Sequence, residues 1–109
     1  MKRRTFVRPE AQTDIREAAR WYENREIGLG LRFLREIRAS LQHISDSPLM
    51  FPVIEEEVRR ALLHKFPYSI YFVNEAESVS IIAFLHQHRR PDASKFRTRN
   101  GGNTERVIQ

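Results

Sequence analysis

Residues Val79–His88 constrain the fold more than any other stretch of the chain. Ile81, Ile82, Ala83, Phe84 and Leu85 are consecutive and apolar. In an extended chain successive side chains point to opposite faces, so this run needs cover on both. It therefore predicts a central strand of a sheet, with other elements packed against it. The run is far too short to span a bilayer, and Pro91 ends it.

The rest of the chain supplies the cover. Residues 3–8 read as a short strand, with Thr5, Phe6 and Val7 giving β-propensity. Pro9 suits a first helical turn, and Glu10 favours the dipole there. Ile15, Ala18, Ala19 and Tyr22 share one helical face, and this helix runs to about Arg25. Gly28 and Gly30 break it. A second helix, 29–46, carries a stripe of Leu31, Leu34, Ile37, Leu41 and Ile44. Its polar face holds Arg32, Arg35, Glu36 and Gln42. Pro48 and Pro52 enclose a turn.

Strands then follow at Val53–Ile54, Val58–Lys65, Tyr68–Val73 and Val79–His88, with a bend at Pro67 and a polar turn over Asn74–Ser78. Residues 92–96 suit one helical turn. Residues 97–109 have almost nothing apolar before Val107 and read as a flexible basic tail. The order is β-α-α-β-β-β(-β). It predicts an α+β domain over residues 1–96, in which a helical hairpin packs on one face of a mainly antiparallel, four- to five-stranded sheet.

Composition limits the chemistry. A length of 109 residues fits one domain, and 40% hydrophobic with 30% charged residues is ordinary for a folded one. There is no Cys, which excludes disulfides, thiolate nucleophiles and Cys-ligated zinc. The basic N-terminus has no apolar segment behind it, so a cytoplasmic location and no membrane partner are expected.

The net charge is +5, and 16 of the 19 basic residues are Arg. Arg grips phosphates and carboxylates bidentately, which points to nucleic acid or an acidic protein as partner. The charge sits at the two ends: residues 1–8 carry +4, 9–85 carry −3 and 86–109 carry +4. If the fold joins the ends, they form one positive patch.

Several residues could carry function. His86 and His88 alternate at the end of the last strand, with Arg89 and Arg90 directly after. They are either solvated polar residues or a phosphate-contacting, acid–base pair with Arg89 to stabilise charge. Two His at this spacing make no metal site without a third ligand, so no metal or cofactor is expected. Arg59 and Arg60 point to opposite sides of a strand, as edge charges, as partners of Glu55–Glu57, or as contacts to a ligand. His64 and Lys65 precede Phe66-Pro67-Tyr68. Tyr68, Tyr71 and Phe72 read as sheet core rather than base-stacking platforms. Trp21 and Tyr22, on the first helix, are core or interface residues.

Four segments resemble the RelE/ParE superfamily of type II toxin–antitoxin toxins, over roughly residues 3–96. They are Ala18-Ala-Arg-Trp-Tyr-Glu23 with Gly28-Leu-Gly-Leu-Arg-Phe33; Ser47-Pro48 with Phe51-Pro52; Val58 to Phe72; and Ile82-Ala-Phe-Leu-His-Gln-His-Arg-Arg-Pro91. Their order is nearest to the ParE-like, plasmid-stabilisation branch. The resemblance implies a bacterial toxin, neutralised by an acidic antitoxin in a hetero-oligomer, that arrests growth by inhibiting DNA gyrase and performs no chemistry of its own. The RelE-like alternative is an endoribonuclease that cuts mRNA on the ribosome. Its catalytic residues here would be His88 and Arg89, with His64 and Arg60 as further contacts. The tyrosine of that set would fall near Lys95–Phe96, and His64 replaces one of its arginines. A third alternative is a non-toxic relic that only binds antitoxin. Arg59, Arg60, His86, Arg90, Trp21 and Tyr22 are the candidate antitoxin- or target-binding residues.

Overall fold

A computed structural model describes residues 3–87. Strand β1 (Arg4–Val7) leads into helix α1 (Pro9–Arg25), and helix α2 (Leu29–Asp46) follows. A single 3-10 turn, Pro48–Met50, precedes strands β2 (Val53–Glu55), β3 (Val58–Leu62), β4 (Tyr68–Asn74) and β5 (Ser78–His86).

The strands form one sheet in the order β1-β5-β4-β3-β2. β1 runs parallel to β5, and the other neighbours are antiparallel. β5 thus has a hydrogen-bonded neighbour on each side, as its unbroken apolar run requires. A bulge opposite Tyr71–Phe72 places Ile82 and Ala83 in the same buried cluster, although they are consecutive.

Both sheet faces are buried. One receives the helices: Ala11, Ile15, Ala18 and Ala19 of α1 and Phe33, Ile37 and Ile44 of α2 pack on Ala61, Ile70, Phe72, Val79, Ile81 and Phe84. A second cluster holds only strand residues: Val58, Tyr71, Val73, Ile82, Ala83 and Leu85.

The hairpin between the helices is held by a carboxylate. Gly28 adopts φ 89°, in the left-handed region that glycine enters without cost. Glu23, near the end of α1, accepts the backbone N–H of Gly28 at 3.0 Å and of Gly30 at 3.0 Å. These are among the N–H groups that a helix start leaves unpaired, and the negative charge suits the dipole. Gly30 does not break the helix. It lies inside α2, where a Cβ would stand 2.7 Å from the Ala19 carbonyl oxygen. The two helices cross closely because this residue has no side chain.

Two further expectations change. The buried stripe of α2 runs through Gly30, Phe33, Ile37 and Ile44, whereas Leu31 and Leu34 are 54% and 40% exposed. Successive steps of three turn the helix face by about 60° each, so a stripe begun at Leu31 drifts out of the core. β3 stops at Leu62, short of Lys65.

The basic residues of the C-terminal end, from Arg89 on, lie outside the described residues. Arg4 pairs with Ser78 at the start of β5. His86 lies eight residues further along that strand, about 26 Å away at 3.3 Å per residue. Residues 97–109, with the helical turn at 92–96, fall outside the described region. No helix among the described residues is long and apolar enough to cross a membrane.

Candidate functional site

The chain between β3 and β4 bends at Pro67, and the bend is tied down on two sides. Leu63 donates its N–H to the Tyr68 carbonyl at 3.0 Å, and Gln87 donates to the Pro67 carbonyl at 2.7 Å. From the other side the Glu36 carboxylate of α2 accepts the backbone N–H of His64 at 2.6 Å and of Lys65 at 3.2 Å. Bonds of an ionised acceptor to backbone amides are among the stronger kind. They turn the His64 and Lys65 amides, two and three residues past the end of β3, towards the helix.

Between α2 and this bend lies a groove of about 750 Å³, lined by Leu29, Arg32, Arg35, Glu36, His64, Lys65 and Phe66. That volume falls within the ~300–1,000 Å³ of ligand-binding clefts. Leu29 and Phe66 give it an apolar base. Arg32, Arg35 and Lys65 add three positive charges, and Glu36, already engaged by two amides, is the single acid. Arg32 also approaches Glu26 at 3.9 Å, a contact between exposed side chains worth little.

Behind Phe66 an aromatic chain crosses the helix-facing side of the sheet. Ring centroids stand 4.9 Å apart for Tyr22 and Phe66, 6.4 Å for Tyr22 and Tyr68, and 5.2 Å for Tyr68 and His86. Tyr68 lies flat on Phe84 at 4.6 Å. Burial raises the Tyr22 hydroxyl pKa above its ordinary 10.0, and the neighbouring, hydrogen-bonded Tyr68 hydroxyl adds to the shift. The Tyr22 ring packs against those of Phe33 and Phe66.

The fold gathers some of the candidate residues and separates others. Tyr22, His86 and His64 lie on the helix-facing side, near the β3–β4 bend. Arg60 pairs with Tyr71 of the second cluster and so faces the opposite side. Arg59 pairs with Phe72 on the helix-facing side. It donates to the Phe51 carbonyl at 2.6 Å. Trp21 is 53% exposed, with the Arg25 guanidinium 4.6 Å from its ring centre. His88, Arg89 and Arg90 lie outside the described residues. Among those described, no three His, Asp or Glu side chains converge as metal ligands.

Sequence reasoning placed Glu36, Arg32 and Arg35 on a plain solvated face and gave Lys65 no role. Only the acid within a basic helix face hinted otherwise, since its partners lie 28 residues away in the chain.

Two helices on one face of a mixed sheet, with β1 parallel to the last strand, define an α+β fold of the RelE/ParE type. The family model described as the ParE toxin of the type II toxin–antitoxin system parDE matches residues 6–91, and the chain belongs to that family. Among solved structures, the chain is similar to one from the chromosomal ParDE toxin–antitoxin system of P. aeruginosa, with a TM-score of 0.67 at 17% identity. The alignment covers 78% of this chain and 96% of that one. No curated protein matches.

Proposed function

We propose that this ParE-family toxin arrests growth by binding DNA gyrase in the cytoplasm, and that an acidic antitoxin holds it inactive. The observation that carries a binding activity is the separation of the described acid–base candidates. Cleavage of a phosphodiester needs groups converging on one phosphate. Arg60 faces one side of the sheet, and His64 lines the groove on the other. The face away from the helices carries a buried apolar cluster beside Arg60.

Induced expression tests the reading in cells. Growth should stop, with the DNA-damage response that follows stalled gyrase, and resume when an acidic partner encoded beside the toxin is co-expressed. Unchanged growth would instead favour a relic that only binds antitoxin. Arrest accompanied by translation-dependent mRNA cuts, lost on His64→Ala or His88→Ala, would establish the ribonuclease.

A further inference from the structure

The sheet face turned away from the helices is more deeply buried than the strands alone can make it. Val58, Tyr71, Val73, Ile82, Ala83 and Leu85 form its cluster, with Ile54 packed against them. Among the described residues this cluster draws only on strands. Yet Tyr71, Ile82 and Leu85 are 2%, 4% and 3% exposed. Side chains stand roughly perpendicular to a sheet, so strand neighbours screen their flanks and leave their tips to solvent. Hiding the tips takes a layer above them.

That layer lies over the middle of the face and not over its borders. Phe6 and Leu62 point to the same side, since their neighbours Val7 and Ala61 pack with the helices. They are 42% and 53% exposed. The chain beyond the described residues is 1–2 and 88–109. Met1 and Lys2 precede β1 at the sheet border, and two residues reach about 7 Å. Tyr71 on β4 lies two strands across from β1, about 10 Å, and Val58 on β3 lies one strand further.

The C-terminal segment has both the position and the length. Gln87, which donates to the Pro67 carbonyl, leads into it at the end of the sheet where Leu62, Ser69 and Leu85 lie side by side. Pro91 lacks the N–H that continued strand pairing needs. Residues 88–96 reach about 30 Å when extended, and Ala83, opposite Tyr71, is about 17 Å back along β5 from residue 88. Phe96 is the one aromatic residue in 88–109.

We propose that residues 88–96 fold back across this face and seat Phe96 over Tyr71, Ile82 and Leu85. The occupant of the second face is then the chain itself, which completes its core there and leaves no open sheet to a partner. This cover is independent of the gyrase reading.

Paramagnetic broadening on the full-length chain tests it. The chain has no Cys, so Ser94→Cys gives a single attachment point for a nitroxide. Amide signals of residues 69–73 and 82–85 should broaden more strongly than those of α1 and α2. Isotope-labelled chain without the nitroxide, mixed with unlabelled chain that carries it, should show no broadening, since the contact lies within one molecule. Phe96→Ala should lower the melting temperature by about 10 °C or more, Phe96→Leu by less, and Val107→Ala not at all.

The proposal is overturned if the broadening is uniform or falls on the helices. Broadening in the mixed sample would give the face to a second copy and overturn it equally. So would a Phe96→Ala chain that melts with the parent.

Discussion

At the scale of single residues, Glu36 joins two parts of the molecule that the sequence keeps apart. Its carboxylate is the only described link from α2 to the amides of the bend. Glu36→Ala should cost about 1–2 kcal/mol, the range for hydrogen bonds to a charged acceptor at a partly exposed site. Urea denaturation measures it, and Glu36→Gln should recover part of the loss. No change would mean that the bend is held by its backbone bonds alone.

Tyr22 sets a pH dependence at the same scale. Its folded pKa lies above the ordinary 10.0, so the folded state binds its proton more tightly than the unfolded chain does. Its contribution is complete below pH 10.0 and is lost as pH rises through the folded value. The alkaline loss of stability should be smaller in Tyr22→Phe. An identical alkaline profile in that variant would remove Tyr22 as its source.

At the scale of elements, the helical hairpin depends on one acid and one glycine. Glu23→Ala leaves the Gly28 and Gly30 amides without their acceptor and should cost about 1 kcal/mol, as losing a helix cap does. Gly30→Ala should destabilise by about 1–3 kcal/mol despite alanine's better helix propensity. The new Cβ meets a backbone oxygen that cannot swing aside. Thermal unfolding of both variants checks this pair, and a more stable Gly30→Ala would show that the helices separate easily.

Most element ends were legible because local chemistry sets them. Pro9 starts α1, the Gly28 turn divides the helices, and the apolar run of Ile81–Leu85 demands two strand neighbours. The buried stripe of α2 was less legible. Leu31 and Leu34 satisfy helical spacing as well as Phe33 does, and only the approach of α1 at Gly30 decides between them. The early end of β3 was not legible either, since the Glu36 contact that turns the following amides towards the helix is remote in sequence. The groove stayed hidden for the same reason: its cations come from two elements that look separately like ordinary surface.

At the scale of the whole molecule, charge and topology divide the roles. β1 runs parallel to β5, so the N-terminal arginines Arg3 and Arg4 lie by Ala76 and Ser78, away from His86. Near the His86 end, a different positive surface forms around Arg32, Arg35 and Lys65.

The most direct measurement puts one preparation of the purified chain into two reactions, plasmid supercoiling by gyrase and translation of a defined mRNA on ribosomes. A binding toxin should block supercoiling or trap cleaved plasmid DNA at micromolar concentration while leaving the mRNA intact. Ordinary supercoiling alongside ribosome-dependent mRNA cuts would contradict the account.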